Sequence, residues 1–400
     1  MRIIHTADWH LGQTFHDFDR KREHLHFLGE LKRRIGTYAA DVLLIAGDVF
    51  DSPNPPADAQ EMLYRFLHEA IAENPQLQVI IIAGNHDSAG RLEAPNPLLK
   101  LLNITVRGVV RRDVNGEIDY SRLIVPLTQG GQTVAWCLAV PYLRYGDYPP
   151  AENYTKGVEQ MFLNLYERIP DKRLPVVAMG HLQASGSELS ANDKSERVVV
   201  GGLEGVSPEV FSRGFAYTAL GHLHRTQKVS GHENIRYAGS PLPMSFAETG
   251  NRQNIILVEI DGKQTHIETA ALSPLTGLRT IRASSVQDAL QQIAGLPEGD
   301  NADADYLEIR VRIGEPEPSL PHRIEEALKG KAVRLARLAA LPHENTTSAI
   351  KQTVASFEEL QRITPMHMAT EAFKRQYGGD DMPQAIKTIL QQVINEAENL

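Results

Sequence analysis

The sequence predicts an α/β protein in which two sheets pack face to face between layers of helix, followed by a smaller α/β piece and a helical C-terminus. Three observations carry this expectation. The first quarter alternates short, wholly apolar runs with longer runs of helical periodicity, as in a parallel or mixed sheet covered by helices. From about residue 104 to 270 the apolar runs are short and divided by glycine, proline and asparagine turns. Near "LSPLTGLRT" the composition changes again, and residues 341–400 read as helix.

"RIIHTAD" is the first expected strand, followed by a helix from about Asp19 to Thr37 with Leu25, Leu28, Leu31 and Ile35 at helical spacing. "DVLLIAGD" is apolar throughout its core, which predicts a strand buried on both faces. A second helix, "PPADAQEMLYRFLHEAIAE", starts behind two prolines and leads to the strand "QVIIIAGNHD". The β-rich region supplies "ITVRGVV", "RLIVPLT", "TVAWCLAV", "PVVAMGH", "AYTALGH", "IRYAGS" and "NIILVEID", interrupted by one helix near residues 155–168. "SSVQDALQQIAGL", "YLEIRVRI" and "HRIEEALKG" make a small α/β domain, and Ala385, Ile386, Ile389, Leu390, Val393, Ile394 and Ala397 form an apolar stripe at helical spacing in the last segment. The expected domains are residues 1–274, 275–340 and 341–400.

Bulk properties exclude several classes. No window approaches the roughly 20 apolar residues of a membrane span, and the N-terminus lacks the parts of a signal peptide, so a cytoplasmic protein is expected. Cys137 is the only cysteine, which removes internal disulfides and thiolate metal sites, and its apolar surroundings place it in the core. A net charge of −9 argues mildly against a nucleic-acid coat, although a catalytic cleft can still be locally cationic.

The chemistry gathers at strand ends. "ADWHLG" presents Asp8 and His10, "AGDVFD" Asp48, "AGNHD" Asn85 and His86, "MGHL" His181, and "GHLH" His222 and His224. Four of these follow glycine, which predicts sharp backbone turns with φ values that other residues avoid. Taken singly, a strand-end histidine or a Gly-Asp pair is ordinary. Five such segments in order predict side chains converging over one edge. Oxygen and imidazole donors without thiolate suit Mn²⁺, Fe²⁺ or Zn²⁺ better than Ca²⁺ or Mg²⁺. The donors are too many for one ion, and two ions about 3.5–4 Å apart suit hydrolysis at phosphorus. Asp51 and Asp87 are expected to support the ligands or the turns; His5, in the first strand, and His24 and His26, on the first helix, stand outside the set.

The order D-x-H, G-D-x-x-D, G-N-H-D, G-H, G-H-x-H resembles the calcineurin-like metallophosphoesterases over residues 1 to about 270. Within them, "HTADWHLGQ", "AGDVFDSPNPP", the Tyr64 and Phe66 of "MLYRF", and "YAGSPLPMSFAE" resemble the SbcD family of bacterial nuclease subunits. The resemblance implies a four-layer sandwich, with Asp8, His10 and His224 on one manganese ion, Asp48 bridging, and Asn85, His181 and His222 on a second. It implies that His86 faces the scissile phosphate. It also implies a capping domain over residues 275–340, where Arg310, Arg312, Arg323, Lys329, Lys331, Arg334 and Arg337 are candidate phosphate contacts. The helical segment would dock on the coiled coil of an SbcC-type ATPase through Ile386, Ile389, Leu390, Val393 and Ile394. Met62, Leu63, Phe66, Leu67 and Ile71, on more than one face of the second helix, suggest a homodimer contact as in the family. The implied role is double-strand exonuclease and single-strand or hairpin endonuclease in DNA end processing, repair and recombination, in the cytoplasm at the nucleoid. Two other readings stay open: a small-molecule phosphodiesterase or phosphatase, which has no need of the C-terminal domains, and a binding scaffold, which has no need of a full ligand set.

Overall fold

The computed structural model describes residues 1–188, 205–212, 214–299, 302–314, 317–342, 370, 382–384 and 386–387. In chain order the first elements are β1 (Arg2–Thr6), a hairpin of β2 (Thr14–Phe15) and β3 (Phe18–Asp19), α1 (Lys21–Tyr38), β4 (Val42–Ala46), α2 (Ala57–Glu73) and β5 (Gln78–Ile82). Short helices α3 (Ala89–Glu93) and α4 (Asn96–Leu99) lead to β6 (Ile104–Arg107), β7 (Ile124–Gln129) and β8 (Gln132–Ala139). Next come α5 (Tyr154–Glu167), β9 (Val176–His181), α6 (Glu209–Ser212), β10 (Tyr217–Gly221), β11 (Gln227–Val229), β12 (His232–Tyr237), β13 (Asn254–Asp261) and β14 (Gln264–Ala271). The last are β15 (Leu278–Ala283), α7 (Val286–Ala294), β16 (Asp305–Ile313), α8 (Leu320–Leu328) and β17 (Val333–Pro342).

Two six-stranded sheets, β14-β13-β1-β4-β5-β6 and β11-β12-β10-β9-β8-β7, face each other. Alternation along the central strands explains why they are apolar throughout. Leu43 and Ile45 point at α1 and α2, while Val42, Leu44 and Ala46 point into the space between the sheets, where Cys137, Met179 and Tyr217 meet them. On the outer face of the second sheet Leu138 and Ala178 pack on Val158, Met161, Phe162 and Leu165 of α5. The result is four layers, helix, sheet, sheet, helix, as expected. β1, β4, β5 and β6 run parallel, as do β8, β9, β10 and β12.

Two local expectations fail. Leu25 is 44% exposed, and Phe27 takes the inward position on α1 with Leu28, Leu31 and Ile35. On α2, Met62, Leu63, Phe66 and Leu67 are all buried in this chain's own core and Ile71 packs against it, so these residues offer no apolar face to a second copy. β14, β15 and β17 are strands the residue pattern did not announce.

A parallel three-stranded sheet, β15-β16-β17, carries α7 and α8 on one face. Leu307, Ile309 and Val311 of β16 pack on that side with Ala289, Ile293, Leu320 and Ile324. The alternate residues Tyr306, Glu308, Arg310 and Arg312 take the other face, and there Tyr306 packs with Phe15 and Phe246 of the larger body. Among the helical-stripe residues, Ile386 is described and is 43% exposed; Ile389, Leu390, Val393 and Ile394 lie outside the described residues. No described helix is long and apolar enough to cross a membrane.

Candidate metal centre

Each polar cluster is delivered by a strand ending at a common edge. Beyond β1 and β4 the two chains stay paired: Asp8 donates its N–H to Gly47 O (3.0 Å) and His10 to Asp48 O (3.0 Å). The sharp turns fall mainly on the polar residues themselves. Asp8, His10, Asp48 and His222 have φ of 54°, 47°, 48° and 105°, a region costing roughly 1–3 kcal/mol per non-glycine residue and tolerated where function fixes the geometry. Of the four preceding glycines, Gly47 alone has the expected left-handed φ, at 91°. Gly84 and Gly221 are there for space: a Cβ on Gly84 would meet the Asp48 carboxylate, and one on Gly221 would meet Ala46 O and the His181 ring.

The side chains converge. Asp48 lies at the middle, Oδ2 3.4 Å from His181 Nε2 and 3.7 Å from His10 Nε2, while Oδ1 accepts from the His86 backbone N–H at 2.8 Å. Asn85 Oδ1 is 2.9 Å from His181 Nε2 and 3.0 Å from His222 Nδ1. Asp8 Oδ1 accepts from the His222 backbone N–H at 2.9 Å. Three overlapping sets, Asp8 with His10 and His224, His10 with Asp48 and His86, and Asp8 with Asp48 and His181, each bring ligand atoms within 4.8 Å of one another. All eight residues singled out in the sequence are therefore in one place.

The outward nitrogens are tied down, which leaves the inward ones for a ligand. His10 Nδ1 is 3.2 Å from Asp51 Oδ1, His86 Nδ1 is 2.9 Å from Asp51 O, and His181 Nδ1 is 2.9 Å from Ala46 O. His224 Nδ1 lies 3.9 Å from Glu248 Oε1, which also accepts from Met244 N–H at 3.2 Å. Asp87 accepts from the N–H groups of Val49, Phe50 and Gly84 and so clamps two of the ligand loops together. Glu248 and Tyr142, whose ring meets His181 edge-on at 6.2 Å, were not foreseen; neither stands in a spacing that points to a site.

The donor set fits divalent cations. Asp8 Oδ2 and His10 Nε2 are buried without a hydrogen-bond partner, a costly condition that a cation would relieve. Burial alone would lower the His181 imidazole, but the Asp48 carboxylate overrides it and raises its pKa to about 9. Burial opposes the charged form of Asp48 too, yet His181 and His10 hold its carboxyl far below the ordinary range. Asp8 is pushed up by burial and by Asp48, and burial pushes the His222 ring down to about 3. Protons thus occupy a site built for positive charge, and metal binding at such sites displaces them.

The arginines proposed for DNA are placed unequally. Arg310 Nε bonds Glu308 Oε2 at 2.8 Å and Arg337 Nη1 bonds Glu308 Oε1 at 3.1 Å, on the face of β16 opposite α7 and α8. Arg334 stacks on Tyr306 at 4.0 Å and donates to Ala304 O and Thr276 Oγ1. Arg334 is thus half-buried, with its guanidinium over the Tyr306 ring. Lys331 similarly donates to Ala294 O and Leu296 O.

Comparison with known proteins agrees with this geometry. Residues 1–226 match the family model described as calcineurin-like phosphoesterase, and residues 274–377 match one described as type 5 capsule protein repressor C-terminal domain. The chain is 36% identical over 390 residues to the D subunit of nuclease SbcCD from Rhodobacter capsulatus, covering 93% of this chain and 94% of that one. It is 27% identical over 388 residues to the protein of the same name in Escherichia coli K12, covering 93% of each. In Bacillus subtilis the figures are 28% over 344 residues, 82% of this chain and 84% of the relative. The strand-end centre and these matches together establish that the chain belongs to the calcineurin-like phosphoesterases and, among them, to the SbcD family of SbcCD nucleases.

Proposed function

We propose that this chain hydrolyses phosphodiester bonds of DNA at two divalent cations, manganese by preference, held between the ends of β1, β4, β5, β9 and β10. As a member of its family it is a metal-dependent DNA nuclease subunit. The observation that carries the two-cation reading is the position of Asp48, within 3.7 Å of imidazoles on both sides. Asp8, His10 and His224 would hold one cation, Asn85, His181 and His222 the other, with Asp48 shared. When bound, the cations supply positive charge to the phosphoryl oxygens and make water a competent nucleophile near neutral pH. A mixed imidazole and oxygen shell favours Mn²⁺ over Mg²⁺.

His86 acts on the substrate rather than the cations. A carbonyl oxygen can only accept, so the contact with Asp51 O puts a hydrogen on Nδ1. In the imidazolium form Nε2 then carries the proton available to the leaving oxygen as water adds to phosphorus and the P–O bond breaks. Asp51 therefore orients both His10, through its carboxylate, and His86, through its carbonyl.

Arg310, Arg312 and Arg337 are proposed to track DNA phosphates, with the small sheet as a capping domain over residues 275–340. Partner docking is proposed for the segment 341–400, on an SbcC-type ATPase. A homodimer contact is proposed through Leu98, on α4, and Leu101, just after it, 71% and 83% exposed, rather than through the buried residues of α2. The test is the purified chain with Mn²⁺ and no ATP on a labelled linear duplex and on bis-p-nitrophenyl phosphate, each beside Asp48→Ala. Both substrates should be cut and the variant should be dead; hydrolysis of the small diester alone, still absent on DNA after the ATPase is added, would favour a small-molecule phosphodiesterase.

A further inference from the structure

The segment after β8 carries a feature that the metal centre does not explain. β8 is parallel to β9, with Ala139 opposite Met179, so the chain that leaves β8 emerges at the edge where β9 delivers His181. Tyr142 fixes it there. Its N–H donates to Ala83 O at 2.8 Å, just before Gly84 and Asn85, and its ring meets the His181 ring edge-on.

Residues 144–147 form a tightly specified turn. Asp147 N–H donates to Arg144 O at 3.0 Å, Asp147 Oδ2 accepts from Arg144 N–H at 2.8 Å, and Gly146 has a φ of 92°, the positive value a type II turn needs at its third position. Arg112 ties the turn to the neighbouring loop by donating to Gly146 O at 2.7 Å. This turn displays Tyr145, 96% exposed, at its tip. Behind it the Arg144 guanidinium lies over the Tyr142 ring at 5.4 Å and has no carboxylate partner among the described residues. The Tyr145 ring meets Tyr148 edge-on at 6.5 Å and adds little to the core, yet three hydrogen bonds hold the turn that carries it.

We propose that Tyr145 and Arg144 bind an unpaired DNA strand at the rim of the metal centre, Tyr145 stacking on a base and Arg144 pairing with a phosphate. This rests on the nuclease reading and deepens it. Tyr145 is three residues from Tyr142, whose ring meets His181, so its Cα stands at most about 11 Å from that of Tyr142. Stacking needs an exposed base face, which a duplex withholds and a single strand, hairpin loop or frayed end offers. An arginine on an aromatic face keeps its N–H edge free for phosphate oxygens. The turn thereby selects for locally opened DNA and holds the opened strand for cleavage.

The experiment uses the full chain with Mn²⁺ and compares wild type, Tyr145→Ala and Tyr145→Trp on a single-stranded oligonucleotide and on bis-p-nitrophenyl phosphate. The ratio of the two kcat/KM values should fall roughly 5- to 150-fold in Tyr145→Ala, chiefly through KM for the oligonucleotide, and should return in Tyr145→Trp. An unchanged ratio in Tyr145→Ala, with wild type cutting the oligonucleotide, overturns the inference and leaves the nuclease reading standing. Should wild type cut only the small diester even after the ATPase is added, the nuclease reading fails instead. Fluorescence anisotropy of the oligonucleotide on the same proteins then decides the inference: weaker binding by Tyr145→Ala supports it, and equal binding overturns it.

Discussion

The phenol of Tyr306, on the small three-stranded sheet, donates a 2.6 Å hydrogen bond to Oε1 of Glu23, on the first turn of α1. Glu23 Oε2 in turn accepts from Arg20 Nη2 at 2.7 Å, and Arg20, fully buried, donates through Nη1 to Gln13 Oε1 and Pro243 O. Phe15 and Phe246 pack around the same phenol. The small sheet is thus joined to the two segments, one after His10 and one before Glu248, that flank the metal centre.

Removing one member of a buried ion pair leaves the other charge without compensation, at a cost of about 3–5 kcal/mol. Glu23→Ala should lower the urea midpoint accordingly, and Tyr306→Phe should cost a smaller amount, about 1–2 kcal/mol. Unchanged midpoints in both would show that the two bodies do not depend on this contact.

Stability should fall in mild acid. Burial pushes His5, which faces Tyr217 Oη across the sandwich at 2.8 Å, down to about 3, and burial and Arg20 do the same to His24. Between the unfolded value near 6.5 and about 3 the unfolded chain binds more protons than the folded one. Each histidine therefore removes up to about 1.4 kcal/mol per pH unit as the pH falls through that window, with no contribution above it. For the EDTA-treated protein, His5→Asn should reduce the slope of stability against pH by about one proton; an identical slope would contradict the buried neutral ring.

His86→Ala should reduce kcat by about 10²–10⁴-fold while bound manganese stays near the wild-type level, since its Nε2 is assigned to substrate. Atomic emission on the same preparation used for the rates checks both quantities. A variant that loses its metal would return His86 to the ligands.

Dialysis against EDTA should abolish hydrolysis of a small phosphodiester, and Mn²⁺ should restore it better than Mg²⁺. Equal rescue by the two ions would speak against a shell rich in imidazole.

The central strands and the site were legible in the sequence for one physical reason: each strand is buried on both faces, so its apolar run ends abruptly where polar side chains are needed. Asp8, His10, Asp48, Asn85, His86, His181, His222 and His224 stand at such transitions, and the structure brings them together. β17, "VRLARLAALP", was hidden because alanine, leucine and arginine favour helices, and only pairing with β16 makes it a strand. The positive φ values at Asp8, His10 and Asp48 were likewise unreadable, since nothing local demands them. Tyr306 lies 283 residues from Glu23, so its bond to the local Arg20–Glu23 pair forms only after the two bodies meet.

The central claim is a pair of cations sharing Asp48. It is tested most directly by counting Mn²⁺ bound per chain, together with the electron paramagnetic resonance spectrum of the loaded protein. Two ions per chain with an exchange-coupled spectrum, and loss of that coupling in Asp48→Ala, is the predicted result. A single ion per chain with an uncoupled six-line spectrum, unchanged in Asp48→Ala, would contradict it.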